Sequence, residues 1–418
     1  MINSEKYLDA PHKIHECTFR FDKIFRTHKG RIGGIGKVEL PEGRQENVYL
    51  HINTKHPICL KDNLTYRLSG KLMPLRPPFN VTNNFSFYLW SRGVRHHASY
   101  AKLSVDLYAS PTFLQEQRKF FSETLSLKDK TYTNIYRAIL MGKKETLESH
   151  QLQHFFYTGT MHLFAVSGLH VGVVSTFLFF ICKLLRFPKI LRIILSGTGV
   201  FFYASIVGFS PSTLRASLMV FFILCAQLLS RPIDIQGAFF NTIGTTLFFN
   251  PFELWDVGFQ LSYGVVASIL YLGIPLTAYI NKNIDRYYKL KTSCIISLSA
   301  SVVSSLFSIY YWNLFTPWAF IANLFLIPLA SFIVILGITT WFCATFIQIL
   351  HPLINIIASH CIAILLMSVE YLEKLPFACF TLTIPFTVFI TLLFFFSLFI
   401  AKPSCIKNMK FLGQKIYR

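Results

Sequence analysis

Beyond residue 160 the chain is a succession of apolar runs, each close to the ~20 residues that cross the hydrocarbon core of a bilayer. Hydrocarbon offers no partner to a peptide group, so a spanning segment must satisfy its own backbone, as a helix or in a closed barrel. These runs are continuously apolar and do not alternate, which selects helices. Only 14% of the residues are charged, well under the roughly 25% of a soluble domain. We read nine segments: 160–181, 190–208, 212–230, 236–250, 257–280, 293–312, 317–349, 353–370 and 384–401. The fourth is short; the seventh is long and contains Pro328.

Short-loop cations give an orientation. Lys183, Arg186, Lys189 and Arg192 follow the first segment, Arg231 the third, and Lys282, Arg286, Lys289 and Lys291 the fifth. Lys402, Lys407, Lys410, Lys415 and Arg418 follow the last. With nine spans all of these fall on one side, which the positive-inside rule makes cytoplasmic. The residues ahead of the first span are then outside. They begin MINSEKYLD, with no apolar signal core. Export of such a region calls for a preceding membrane helix, so the reading expects N-terminal spans that a complete protein would carry.

Residues 1–150 hold 24 Lys and Arg against 14 Asp and Glu, a balance that fits a polyanion partner, an anionic membrane surface, or simple solubility. Up to about residue 110, apolar residues alternate with polar ones. Cys17, Phe19 and Phe21 form one such set, Val48, Leu50 and Ile52 another, and Leu64, Tyr66 and Leu68 a third, the pattern of half-buried strands. Gly30, Gly33, Gly34, Gly36, Pro41 and Gly43 read as turns or bulges. Some five short strands predict a small soluble β-barrel, OB-like, ahead of a polytopic α-helical membrane domain. Residues 29–37 fail as a phosphate loop, because Arg31 and Val38 stand where Gly and Ser or Thr are needed; a basic hairpin tip is expected. Arg20, Lys23, Arg26, Lys29, Arg31 and Lys37 cluster with Phe19 and Phe21. Cations that track phosphates and rings that stack on bases bind single strands, whereas a core with a solvated face would look the same in sequence. Residues 74–95, with Pro77 and Pro78, read as an extended exit segment. From about 110 to 160, helical spacing of Phe113, Phe120, Phe121, Ile135, Ile139 and Leu140 predicts amphipathic helices, on the membrane or against the bundle.

Polar residues inside apolar segments are functional candidates by default. The stretch His162 to Gly172, HLFAVSGLHVG, holds three of them, His162, Ser167 and His170, together with two glycines. Gly168 and Gly172 form a Gly-x-x-x-Gly that admits a neighbouring helix. On one straight helix His162 and His170 would be about 12 Å apart, too far to share a metal; each either lines a path or bonds a neighbour. Ser167 and His170 are helical neighbours, which raises a serine-hydrolase reading, yet nothing at a suitable spacing orients the imidazole. Pro211 opens the third segment behind capping serines. Arg215, a turn further in, either snorkels to the interface or presents charge to a polyanion. Gln260, Asn323 and Pro328 complete the channel-lining or helix-packing candidates. There is no zinc-ligand spacing and no redox or nucleotide motif, so no metal, cofactor or catalytic residue is expected. Whether Cys17 and Cys59 pair is open.

These stretches resemble a family. HLFAVSGLHVG is similar to the HLLAISGLHIG of the ComEC competence proteins. Ala138–Gly142, Pro211–Ala216, Val257–Ser262, Ala322–Leu329 and the run Asn80–Val94 match other family stretches in order. Members usually add membrane helices before the OB-like domain, and many end in a metallo-β-lactamase-like domain whose His-x-His-x-Asp motif does not occur here. The resemblance implies an OB-like external domain at 12–110, amphipathic connecting helices at 111–159, a transmembrane channel domain at 160–401 and a basic cytoplasmic tail at 402–418. It further implies a non-enzymatic channel for transforming single-stranded DNA in the bacterial cytoplasmic (inner) membrane. Its partners would be single-stranded DNA, the lipid bilayer and other competence proteins, with self-association open. A transporter of another polyanion or a lipid is the alternative from a second class, and an intramembrane serine hydrolase that from a third.

Overall fold

The computed structural model describes residues 12–26, 31–39, 45–53, 65–75, 89, 92–94, 96–105, 113–280, 287–383, 385 and 388–389. The chain forms two compact units, residues 1–120 with 247–256, and 121–246 with 257–418.

The first unit is built on five strands: β1 (His12–Arg26), β2 (Arg31–Glu39), β3 (Gln45–Asn53), β4 (Thr65–Pro74) and β5 (His96–Val105). Neighbours pair antiparallel except β3 and β5, which run parallel with Val48 opposite His96. β4 pairs back onto β1, so the order β1-β2-β3-β5-β4 closes on itself. Alternation drives this closure, because side chains of period two fill one face of every strand. Phe19, Val38, Val48, Leu50 and Tyr66 are 0–1% exposed in that interior.

Three expectations change here. Gly33, Gly34 and Gly36 lie within β2, paired to His51, Leu50 and Val48, and do not form turns; a side chain on Gly33 would run into the Tyr49 ring. Residues 31–37 are therefore strand, with Lys37 exposed, where a hairpin tip was expected. Leu89 and Val94, from the expected exit segment, are buried against Ile35, with Tyr49 and Leu75 beside them. The described parts of 74–95 thus fold back into the core. Cys59 lies outside the described residues.

The second unit is helical. α1 (Phe113–Thr124) leads into it, followed by α2 (Lys130–Met141) and α3 (Ser149–Tyr157). Asp129 starts α2 by accepting the amide protons of Thr131 and Tyr132 at 2.6 and 3.3 Å. Ile135, Tyr136, Ala138, Ile139 and Leu140 are all 0% exposed, so α2 packs one face against the bundle, while Thr131, Asn134 and Arg137 are half-buried. The carbonyl of Leu140 accepts the Tyr203 hydroxyl at 2.9 Å. Gly142 ends α2 at φ +70°, its amide closing on Ala138.

Then come α4 (Gly168–Leu184), α5 (Lys189–Val207), α6 (Pro211–Leu228), α7 (Ile235–Phe249), α8 (Val257–Ile280, with a π-turn at Ile269–Gly273), α9 (Tyr288–Trp312), α10 (Ala319–Phe346) and α11 (His351–Glu373). Among the described residues six helices are long and apolar enough to cross a membrane: α5, α6, α8, α9, α10 and the stretch Gln348–Glu373 that contains α11. α4, at 17 residues, is a shorter apolar helix, and α7 has 15. The first expected segment is corrected at its start: residues 160–167 are not part of α4 but form a 3₁₀ turn, Met161–Phe164, and a link. The seventh is one continuous helix through Pro328. The ninth, 384–401, lies outside the described residues apart from 385, 388 and 389.

Gly142→Ala places a Cβ on a left-handed residue, which costs roughly 1–2 kcal/mol. The purified chain in detergent is expected to show a correspondingly lower unfolding midpoint. An unchanged midpoint would mean that the end of α2 adapts without this cap.

Candidate functional site

Several of the residues singled out in the apolar region, His162 to His170, Pro211, Arg215 and Gln260, lie at one end of the helical unit, where α4, α6 and α8 begin. The approach to α4 is irregular backbone whose polar groups are satisfied locally. Thr158 and Thr160 hydroxyls donate to the carbonyls of His154 and Phe155 at 2.9 and 3.3 Å. Gly159 turns the chain at φ +71°, with Thr316 and Ala319 so close to its Cα that a Cβ would collide. His162 donates from Nδ1 to the Gly159 carbonyl at 3.2 Å. His162 thus belongs to the turn and His170 to the first turn of α4, so the single-helix separation of 12 Å does not apply.

Ser167 is the N-cap of α4, and it forms a reciprocal capping box with His170. The Ser167 amide donates to His170 Nδ1 at 3.3 Å, and the Ser167 hydroxyl lies 3.0 Å from the same nitrogen. Because Nδ1 accepts, the neutral ring carries its proton on Nε2. His170 is 1% exposed. The pair that resembles a dyad is engaged in starting a helix. Gly168 faces α6, where its Cβ position is 3.7 Å from that of Ala216, while nothing lies within 4 Å of the position at Gly172. Among the described residues only the first glycine of the expected pair meets a neighbouring helix.

α6 begins beside this cap. Ser210 accepts the Thr213 amide at 3.3 Å, and Pro211 sits in the first turn. Ser212 and Thr213 hydroxyls donate to the Val166 carbonyl at 2.8 and 3.3 Å, tying the start of α6 to the link before α4. Arg215 is 4% exposed, so it does not snorkel outward. Its Nη2 donates to the Gly258 carbonyl, in the first turn of α8, at 2.9 Å, and its guanidinium stands 5.8 Å from the centroids of both Phe259 and Tyr263. The Tyr263 hydroxyl in turn lies 3.2 Å from that of Thr246. Gln260 accepts the Tyr311 hydroxyl at 2.6 Å, joining α8 to α9. Asn323 is half-buried near the start of α10, and Pro328 is exposed further along that helix.

Of the barrel candidates, Arg20, Lys23, Arg26 and Phe21 lie on β1, and Arg31 and Lys37 on β2; Lys29 is outside the described residues. Phe19 is fully buried and has no face to offer a base, which corrects its place among the stacking rings. Several contacts were not read from sequence: the Tyr203 bond to Leu140, the clasp of Gly159 on Thr316, and the ion pair of His154 with Glu373 between α3 and α11. The last joins residues 219 apart in sequence, and no local pattern reports such a pairing. Among the described residues no group of three or more His, Cys, Asp or Glu is placed to hold a metal.

Among the described residues six helices that can span a membrane and a shorter apolar one, with an interrupted entry to the latter and a buried arginine shared between two helix starts, define a polytopic helical membrane protein with a polar end. The competence protein family model matches residues 139–405, and the chain belongs to that family. It is 28% identical over 263 residues to ComE operon protein 3 of Bacillus subtilis, covering 61% of this chain and 32% of that protein. It is 26% identical over 238 residues to Recombination protein 2 of Haemophilus influenzae, covering 53% and 29%. It is 30% identical over 145 residues to competence protein ComA of Neisseria gonorrhoeae, covering 33% and 21%. The chain thus aligns with about a third or less of the length of these relatives. No solved structure matches it.

Arg215→Met removes the bond to Gly258 and is expected to lower the unfolding free energy of the chain in detergent by about 2 kcal/mol, with Arg215→Lys recovering less than half. Equal stability of all three proteins would show that the guanidinium does not join α6 to α8.

Proposed function

We propose that this chain forms the membrane passage through which one strand of transforming DNA enters a naturally competent bacterium. The observation that carries the reading is the meeting of three family stretches at one polar end: His162–Gly172, Pro211–Ala216 and Val257–Ser262. Helix starts carry partial positive charge, and α4, α6 and α8 begin together around the cation of Arg215. Such a cluster attracts a phosphate backbone, as helix starts do elsewhere for anionic groups. The chain's formal net charge of +20 favours the same partner.

In this reading the protein lies in the cytoplasmic membrane with residues 12–110 outside. The strand order β1-β2-β3-β5-β4, with β3 and β5 parallel, supports treating the barrel as OB-like. Arg20, Lys23, Arg26, Lys29, Arg31 and Lys37 guide the strand over it, with Phe21 as the stacking ring. Residues 111–159 join barrel and channel, 160–401 form the channel, and 402–418 are a cytoplasmic basic tail. His162, Ser167, Gly168 and His170 shape the entrance through backbone capping, and Gln260 and Asn323 lie on the helices around it. No catalytic step is assigned to this chain, and other competence proteins act with it.

Two measurements test this. Single-stranded DNA binding by the full chain in nanodiscs is expected to weaken linearly with log salt, and Arg31→Ala or Lys37→Ala each to flatten the slope by about 0.7. Salt-independent binding, or none, would defeat the DNA reading. In a transformable strain that relies on this chain for uptake, Arg215→Ala is expected to abolish transformation, whereas Ser167→Ala keeps it within about threefold, since substituting a capping Ser costs only ~1 kcal/mol. Loss with Ser167→Ala at unchanged protein level would turn the case toward hydrolysis.

A further inference from the structure

At the end of the unit where α9 stops and α10 starts, the chain makes a two-stranded sheet, β6 (Leu314–Phe315) with β7 (Phe380–Thr381). The connection from α11 into β7 presents two phenylalanines. Phe377 is 71% exposed and Phe380 39%. Their rings are stacked, 5.6 Å between centroids and 16° from parallel. Phe377 directly follows Pro376 and has φ +61°, the place in a turn that Gly or Asn normally takes. A bulky side chain held there is a backbone outlier of the kind that marks sites of recognition.

The surroundings hold this geometry. Trp318 donates from Nε1 to the Pro376 carbonyl at 2.9 Å, and the Leu382 amide donates to the Asn313 carbonyl at 3.0 Å. The end of α11 is fixed by the ion pair of Glu373 with His154. Phe315 is opposite Phe380 in the ladder, and the next residue, Thr316, is the one that meets Gly159 at the approach to α4. The ring pair therefore stands beside the entrance already described, with Lys374 exposed one turn away.

We propose that Phe377 and Phe380 are a stacking platform for a base of single-stranded nucleic acid approaching that entrance. The proposal rests on the DNA reading above and adds the site. Three features favour a base over lipid. Phe377 is stacked on Phe380 yet 71% exposed, so ring surface is left to meet a further flat ring. A bilayer anchor needs no left-handed residue to hold it. Interfacial belts use Trp and Tyr, which have a polar edge that phenylalanine lacks. Lys374 supplies the cation that a phosphate beside a stacked base calls for.

The test uses the full chain in nanodiscs, a fluorescent oligothymidylate, and an abasic strand of the same length. The parent is expected to bind the oligothymidylate at least about fivefold more tightly than the abasic strand, the effect of one stacked base. Phe377→Leu with Phe380→Leu keeps the apolar character and the backbone demand but has no ring, and is expected to lose that preference while binding the abasic strand as before. Phe377→Trp is expected to restore it, with quenching of the added fluorescence on binding. A preference retained in the double leucine variant overturns the platform and leaves the DNA reading intact. If the leucine variant keeps its DNA preference but has a lower unfolding midpoint than the parent in lipid nanodiscs and the same midpoint in detergent, the rings are a lipid anchor and the platform is wrong. A parent that binds neither strand overturns the DNA reading and the platform together.

Discussion

The guanidinium of Arg215 donates to a carbonyl in the first turn of α8 and lies against the faces of Phe259 and Tyr263, with the residue only 4% exposed. A cation in such a place is costly unless its protons find partners and its charge finds a polarizable surround. The Gly258 carbonyl takes a hydrogen bond from Nη2, and the two aromatic faces give the charge a polarizable surround. The arrangement fixes where α8 begins relative to α6. The same end of α6 is bound to the link before α4 through Ser212, Thr213 and the Val166 carbonyl. Three helix starts are thus registered to one another by side chains of a single helix, over residues 210–215.

That registration allows the chain to be irregular where the first apolar helix would otherwise run. Non-helical backbone among apolar helices leaves carbonyls without donors, and each unsatisfied one costs about 1–3 kcal/mol when buried. Between residues 154 and 170 the carbonyls of His154, Phe155 and Gly159 find donors in Thr158, Thr160 and His162, and the capping box of Ser167 with His170 gives two amides their acceptors. The polar residues that look out of place in an apolar stretch are therefore the ones that let it be broken. The break turns Leu163 and Phe164 inward, where both are at most 1% exposed, and their burial in turn holds the turn closed.

Much of this was legible in sequence, and the part that was not has a physical reason. Continuous apolarity reports a helix whatever its neighbours, so the expected segments from 190 to 370 match helices. Residues 160–167 misled because Leu163, Phe164 and Val166 are as apolar as helix residues, yet they are buried by folding back. A serine with a hydrogen-bonding residue three positions later was the available sign of a helix start. Gly168 and Gly172 misled because spacing does not say which glycine a neighbour faces. Alternation in the barrel placed Phe19 on a strand face but left open whether that face is core; ring closure decides it. The aromatic pair at 377 and 380 gave no periodic signal, since its positions depend on a turn and a two-residue ladder formed with residues more than sixty positions earlier.

Two prolines inside apolar helices show how far local sequence can be taken. Pro275 and Pro328 each deny a hydrogen bond to the preceding turn and crowd a carbonyl there. Around Pro328 the helix α10 continues unchanged, and the ring is exposed on its outer face, with Ser331 supplying a hydroxyl to the Ile327 carbonyl nearby at 2.8 Å. Ahead of Pro275 the helix α8 instead widens into a π-turn over Ile269–Gly273, and Ile274 closes on Ile269. The difference lies in the neighbour. Gly273 abuts Ser299 and the backbone of Ile296 on α9, at 3.2 and 3.7 Å from its Cβ position, so this helix is pinned at the very turn the proline disturbs. A helix free on its outer face absorbs a proline by a small tilt, but one clamped to a partner has to insert a residue. α8 therefore carries its irregular turn against α9, where the π-turn's own bond from Ile274 to Ile269 supplies a partner. That is the condition under which broken helices persist in membranes.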